Sequence, residues 1–316
     1  MSSLLNLGQV LWGRSGAYTV SKKIKDIVWL ARSQKDDLVI LKSVAGHPRV
    51  ENERDVLQRF QAKSPYIRPL IDEIQDPAEP ITIVLKHLDT DLLKETVKRP
   101  LSRKEIKHVS RRVLEALNTL HEDGYVHTDI KLDNIFLNLK KDEIKKDEIR
   151  FSDVQLGDFG GSYPQDSHWA KSGTPVGAPI WNSPEILMNL PWNTATDIWS
   201  FGNVVISLIY GGDFNIFRPK GFKFGDEEFN VEIVKEQYRF FGPWPPKIQE
   251  IVDEETFTSI LYIMHIIPPE KMTHFQRVAE REVVKKDKDF ILKIMKMDWR
   301  DRPTAKELLQ DEWFRE

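Results

Sequence analysis

The sequence predicts an α+β chain in two parts: a small sheet-rich N-terminal lobe over residues 1–88 and a larger, mainly helical C-terminal lobe over residues 89–316. Three observations carry this. Short β-branched and aromatic runs separated by polar turns crowd the N-terminal part. Longer stretches with apolar residues at helical spacing follow Ser102. Between them Lys86-His87-Leu88-Asp89-Thr90-Asp91-Leu92 interrupts both patterns with polar chain, and the lobe boundary falls there.

Composition narrows the classes. The chain has 316 residues, a net charge of -3 and 30% charged residues, which describes a globular protein long enough for a large core. The absence of cysteine excludes disulfides and thiolate metal sites, so any metal must be held by oxygen or histidine. A pI near 6.3 gives no global basic field, and no nucleic-acid partner is expected. No signal-peptide pattern precedes the first strands, and the most apolar run, residues 204–210, is far too short to span a bilayer. No membrane association is expected, and the location reads as cytoplasmic or nuclear.

Taken in order, residues 18–20, 26–32 and 38–44 read as strands of an antiparallel meander, with turns at 21–25 and 33–37. The third strand carries Val39-Ile40-Leu41-Lys42. A lysine ending a strand is usually a surface charge, but residues 50–61 follow with Val56, Leu57 and Phe60 at helical spacing. Glu53 of that helix is the natural ion-pair partner of Lys42, although Glu51 lies close enough to leave the register open. Residues 81–85 read as a buried strand. Ser102-Arg103-Lys104-Glu105 is a capping box opening a helix to about Asp123, with Gly124 as its stop. Residues 135–137 and 151–156 read as strands, and the charged run 140–150 between them as a solvated hairpin insertion. Thr194-Ala195-Thr196-Asp197 reads as the cap of a helix to Tyr210 that is apolar all round and therefore buried.

The chemistry concentrates in His127-Thr128-Asp129-Ile130-Lys131-Leu132-Asp133-Asn134, a charged loop between an amphipathic helix and a strand. It places a base, a cation and a metal ligand within one turn of chain, as a phosphorylated ligand with Mg²⁺ requires. Gly157-Asp158-Phe159-Gly160 follows the next strand, where Asp158 is a credible ligand for a hard cation.

In the order Lys42, Glu53, Asp129 to Asn134, D-F-G at Asp158, Ser183-Pro184-Glu185 and Asp301-Arg302-Pro303-Thr304-Ala305, the chain resembles eukaryotic protein kinases of the serine/threonine type over about residues 18–314. The loop is also similar to that of SR-protein kinases, and residues 234–243 resemble a segment of the group containing the cyclin-dependent kinases. The resemblance implies a two-lobed protein kinase fold. It implies Asp129 as catalytic base and Lys131 as a cation on the transferring phosphoryl group, with Asn134 and Asp158 holding Mg²⁺. It implies Lys42 and Glu53 as the phosphate-binding pair of the ATP site, Val28 and Phe136 as further residues of that site, and the backbone of Lys86 and Leu88 on the adenine edge, with Leu85 as gatekeeper. Asp197 is implied as anchor of the catalytic loop, and Arg302 as partner of Glu185.

The departures are specific. Counting back from Val28, the three glycine positions of the phosphate-covering loop fall on Ser21, Lys23 and Asp26. Glycine there lets backbone N–H groups approach phosphate, so its loss loosens the cradle. Ile40 narrows the nucleotide slot, Thr128 replaces the arginine that clamps a phosphorylated activation segment, and Ala178 removes a threonine that braces the loop. The expected function is MgATP-dependent phosphorylation of a protein hydroxyl. The alternative is a pseudokinase scaffold. The acidic cluster Asp226, Glu227, Glu228 and Glu232 reads either as a solvated loop or as a dock for a basic protein substrate.

Overall fold

The computed structural model describes residues 5–141 and 148–315. The N-terminal part is built from β1 (Val10–Gly13), β2 (Ala17–Lys25), β3 (Val28–Ser33), β4 (Leu38–Ser43), α1 (Arg49–Phe60), β5 (Leu70–Asp76) and β6 (Thr82–Lys86). Its strands form a closed barrel in the order β1-β2-β3-β4-β6-β5. This is more than the expected meander. β1 and β5 were not foreseen, and β1 joins β2 to β5 to close the ring. The barrel interior is filled by Leu11, Tyr18, Val20, Trp29, Ala31, Leu41, Ile74 and Val84. Buried Asp72 pins the β1–β2 turn, accepting from the Tyr18 hydroxyl at 2.9 Å and from the Arg14 and Ser15 amides at 3.1 and 2.9 Å. Gly13 is required there because a Cβ would run into the Asp72 carboxylate.

A second correction concerns residues 21–25. They are not a turn but the continuation of β2, paired against β3 with Lys22 opposite Leu30, Lys23 opposite Trp29 and Lys25 opposite Val28. Cross-strand pairing overrides the polar composition, and the Lys23 ammonium lies 5.5 Å from the Trp29 ring centroid. The polypeptide turns only at Asp26 and Ile27.

The C-terminal part runs through β7 (Thr90–Asp91), α2 (Leu92–Lys98), α3 (Arg103–His121), β8 (Tyr125–Val126), β9 (Ile135–Leu139), β10 (Phe151–Leu156), β11 (Tyr163–Pro164), α4 (His168–Lys171), α5 (Pro184–Leu187), α6 (Ala195–Tyr210), α7 (Phe229–Phe241), α8 (Glu254–Ile266), α9 (Lys285–Ile294) and α10 (Ala305–Leu309). The capping box at Ser102 forms as expected, with Ser102 Oγ accepting from the Glu105 amide and Glu105 from the Ser102 amide. Thr194 does not cap α6 with its side chain; Asn193 Oδ1 accepts from the Ala195 amide at 2.9 Å instead. α3 and α6 supply the centre of the core, with Val109, Leu114, Leu117, Trp199, Phe201 and Val205 all buried. β9 and β10 pair antiparallel. Of the insertion expected at 140–150, residues 142–147 lie outside the described residues, while Lys140 donates its amide to the Arg150 carbonyl at 2.8 Å. No helix among the described residues is long and apolar enough to cross a membrane.

Candidate active site

The loop 127–134 is held from below by one buried carboxylate. Asp197, in the first turn of α6, accepts from the His127 amide at 2.7 Å and the Thr128 amide at 2.8 Å, and lies 2.9 Å from His121 Nε2. These contacts hold Thr128 at a φ of 71°, a left-handed conformation that a β-branched residue avoids unless its surroundings impose it. His127 packs edge-on against the buried Phe159 ring, with centroids 4.9 Å apart. Burial lowers its pKa, which keeps the imidazole neutral between the two loops.

On that frame the expected residues converge. Lys42 Nζ donates to Glu53 at 2.7 and 3.0 Å and to Asp158 Oδ1 at 2.9 Å. The register left open by the sequence is thereby resolved in favour of Glu53, while Glu51 pairs with Arg54. Burial opposes the charge on Lys42, but Asp158 and Glu53 more than offset it and keep the ammonium protonated. For Asp158, burial alone would raise the pKa; Lys42 and Arg49 outweigh it and hold the carboxyl well below the usual carboxylate range. Asn134 Nδ2 donates to the Asp129 carbonyl at 2.9 Å and to Asp129 Oδ2 at 3.0 Å, and Lys131 Nζ lies 2.9 Å from the same Oδ2. Asp129 Oδ1 is buried and has no hydrogen-bond partner among the described residues.

Sequence reasoning missed three residues. Arg49, at the start of α1, donates to Asp158 Oδ2 at 3.1 Å, and Asn52 Nδ2 donates to the carbonyls of Gly160 and Ser162 at 3.2 and 3.0 Å. Arg49 stands four residues before Glu53 and three before Asn52 on α1, and that helical spacing was the available signal. Arg68 is the third. Its side chain is buried, its Nε donates to the Lys86 carbonyl at 2.8 Å, and its guanidinium carbon lies 4.3 Å from the Phe136 ring centroid. The Lys86 backbone, expected on the adenine edge, therefore already has a donor on its carbonyl. The signal was a lone arginine in the run Tyr66-Ile67-Arg68-Pro69-Leu70.

Further out, Thr128 Oγ1 donates to the Gly161 carbonyl at 2.7 Å, so the residue in the clamp-arginine position ties the loop to the D-F-G segment instead. Arg302 grips Glu185 with both terminal nitrogens at 2.6 and 2.8 Å. In the acidic cluster, Glu232 is engaged by Lys235, and Asp226 Oδ2 accepts from the Lys223 amide at 2.7 Å.

The donor set suits a hard cation. Asp158 offers carboxylate oxygens, and the Asn134 amide, with its nitrogen turned to Asp129, keeps its oxygen for other use. Among the described residues no group of three or more His, Asp or Glu side chains converges to hold a metal unaided. A cation here would take its remaining oxygens from a ligand's phosphates and water, which is how Mg²⁺ is commonly bound.

A two-lobed arrangement with a lysine–glutamate pair, an anchored loop aspartate and a D-F-G aspartate is the arrangement of the protein kinase fold. The chain belongs to the protein kinase family, whose protein kinase domain matches residues 25–314. It is similar to serine/threonine-protein kinase shk1/pak1 of Schizosaccharomyces pombe, 35% identical over 130 residues covering 41% of this chain and 18% of that protein. It is also similar to calcium/calmodulin-dependent protein kinase type 1 of Macrobrachium nipponense, 29% identical over 202 residues covering 64% and 53%. The chain thus spans from about a fifth to about half of the length of these curated relatives. Its fold is shared with a chain of the yeast RNA Pol II CTD kinase CTDK-1 complex, at a TM-score of 0.73 and 19% identity, covering 95% of this chain and 93% of that one.

Proposed function

We propose that the chain is a serine/threonine protein kinase that transfers the γ-phosphoryl group of MgATP to a protein hydroxyl, with the lobes meeting near residue 88. The observation that carries this is the state of Asp129. One carboxylate oxygen is fixed by Lys131 and Asn134, and the other is buried without a partner among the described residues. A buried, unpartnered carboxylate oxygen is costly unless something occupies it during function. A substrate hydroxyl is the fitting occupant: Asp129 Oδ1 accepts its proton and orients the oxygen for attack. Lys131, held against Oδ2, remains beside the transferring group as a cation. Lys42, steadied by Glu53, binds phosphate oxygens. Asp158 and Asn134 would hold Mg²⁺, whose charge stabilises the transferring phosphoryl oxygens.

Lys131 lies two residues after Asp129, the spacing that serine/threonine kinases use, and this favours Ser or Thr as acceptor. A second reading, a pseudokinase scaffold, draws on the tight hairpin at Asp26-Ile27 and on Arg68 at the hinge carbonyl.

Asp129→Asn decides between them. It preserves size and the contacts of one oxygen while removing the base. Turnover on a generic peptide should fall by roughly 10² to 10⁴-fold with the melting temperature little changed, since a positioned general base contributes about that much. Wild-type protein without turnover, or a variant within about tenfold of wild type, would sink the assignment.

A further inference from the structure

Away from the phosphotransfer residues, a cleft of about 760 Å³ opens between the chain that follows Glu185, the start of α7 and the start of α8. Its floor is apolar, with Leu190, Val234 and Ile263 all buried. Its rim is apolar and open to solvent: Val231 and Tyr262 are 48% and 62% exposed. Thr258 and Ser259 also line it, but their hydroxyls donate to the carbonyls of Glu254 and Glu255 at 2.8 and 3.0 Å, so they need no partner in the cleft. Concave apolar surface of this size, left uncovered and edged by polar groups, is the kind of surface on which proteins bind others.

The charge around the cleft has one sign. Asp253 and Glu255 line it, and no lysine, arginine or histidine does. Asp253 caps α8, and the Thr256 amide that donates to it at 2.8 Å lowers its pKa and keeps it ionised. Among the described residues neither carboxylate is in an ion pair. Glu254, and Asp226, Glu227 and Glu228 just before α7, are exposed and extend the negative field along both helix starts.

The cleft also adjoins the activation segment. A Cβ on Gly173 would stand 2.1 Å from the Asn189 carbonyl oxygen, so the chain that forms the cleft floor packs flush against the segment. Trp192 closes the seam, its amide donating to the Ala170 carbonyl at 3.1 Å and its indole nitrogen to the Thr174 carbonyl at 3.0 Å. A polypeptide lying along this segment toward Asp129 therefore passes the mouth of the cleft.

We propose that this cleft docks a stretch of the protein substrate, separate from the acceptor hydroxyl, in which large apolar side chains stand beside lysine or arginine. The apolar side chains fill the floor, and the cations meet Asp253 and Glu255 at the rim. This rests on the kinase reading above and adds to it the class of substrate. Docking at a second place raises the local concentration of the acceptor, so its effect falls on KM and not on kcat.

The test uses the full chain and a fluorescein-labelled peptide of alternating leucine and lysine that carries no hydroxyl. Two control peptides replace lysine by glutamate or leucine by glycine. Binding is read by fluorescence anisotropy for wild type, Tyr262→Ala and Glu255→Lys, both at exposed positions where folding is not at stake. The wild type should bind the leucine–lysine peptide about tenfold or more tightly than either control, and Tyr262→Ala should lose about as much, as truncation of an aromatic anchor does. Glu255→Lys should weaken binding about fivefold at low salt and less at high salt. Fused to a generic serine peptide, the leucine–lysine stretch should lower KM about tenfold with kcat unchanged. Both variants should cancel that gain while phosphorylating the unfused peptide as wild type does. Equal binding of the leucine–lysine and leucine–glutamate peptides, or wild-type affinity in both variants, overturns the proposal. So does a wild-type dimer in sedimentation that Tyr262→Ala dissolves, because a second copy then covers this face. Turnover of the serine peptide with no KM gain from the fused stretch overturns the docking role alone. Binding at the cleft with no turnover of any peptide overturns the kinase reading, and the substrate role with it.

Discussion

At the floor of the cleft Lys42, Glu53 and Asp158 are joined by hydrogen bonds of 2.7 to 3.0 Å, and beside them Asp129 and Asn134 by two of 2.9 and 3.0 Å. At its roof and rear the picture inverts, with a closed lysine-rich hairpin where glycines would admit phosphate and an arginine on the hinge carbonyl. The contrast teaches which constraints each end obeys. Phosphoryl transfer needs charges at fixed separations, and the same residue types must meet whatever nucleotide is used. Recognition of the base rests on a few neutral hydrogen bonds worth about 0.5 to 1.5 kcal/mol each, so it can be rewritten without touching the chemistry.

The largest expected effect falls on the support of the floor. Glu185 and Arg302 form a fully buried bidentate pair that anchors the end of the activation segment to the chain preceding α10. Glu185→Ala leaves the guanidinium uncompensated and should destabilise the fold by about 3 to 5 kcal/mol, as removal of one partner of a buried ion pair does. Chemical denaturation measures it. A loss below about 1 kcal/mol would mean that water reaches Arg302 and that the floor is less rigid than its geometry suggests.

How much of this was legible follows the same division. The Lys42, Asp129 and Asp158 motifs could be read because charged residues at fixed spacing beside apolar periodicity are costly to bury unless they meet at a site. Pairing between distant segments was not readable. β1 is four residues long and half exposed, and nothing local shows that it meets β5. Residues 21–25 look like a turn by composition and are a strand because Leu30, Trp29 and Val28 lie opposite. Arg68 was not read at all, because its contact with Lys86 depends on the path of the chain between α1 and β5, and composition does not specify that path.

A smaller effect sharpens the contrast at the roof. Asp26 sits at the hairpin tip with its side chain 89% exposed, near the Lys23 ammonium at 4.0 Å. Asp26→Gly removes a negative charge from the rim of the cleft and relaxes the turn. Affinity for a Mg²⁺–nucleoside triphosphate should rise about two- to fivefold at low salt, and less at high salt as screening takes over. Glycine at Lys23 should not add to this, because Lys23 is a strand residue lying over Trp29, where glycine weakens pairing. A gain at Lys23 equal to that at Asp26 would show that the hairpin opens when nucleotide binds.

The smallest expected effect is in the activation segment, and it asks whether the floor is complete as built. In kinases whose loop carries an arginine before the aspartate, a phosphorylated segment is clamped by that cation through charge-assisted bonds. Here Thr128 donates to the Gly161 carbonyl at 2.7 Å, Asn52 donates to Gly160 and Ser162, and Ser162 Oγ donates to the His127 carbonyl at 3.2 Å. The base of the segment is thus tied to both α1 and the loop 127–134 by neutral bonds that need no phosphate. Ser172 and Thr174, the hydroxyls nearest the middle of the segment, hydrogen-bond each other at 2.8 Å, and neither meets a basic side chain among the described residues. A phosphate at either position would find no clamp. Replacing both by alanine should therefore change kcat and KM by less than about threefold, since exposed hydroxyl bonds contribute little net free energy. The measurement is steady-state kinetics on protein verified by mass spectrometry to carry no phosphate. A large loss in the double alanine variant, recovered by aspartate or glutamate at the same positions, would show that the segment needs charge after all and that a cation must reach it from elsewhere in the chain.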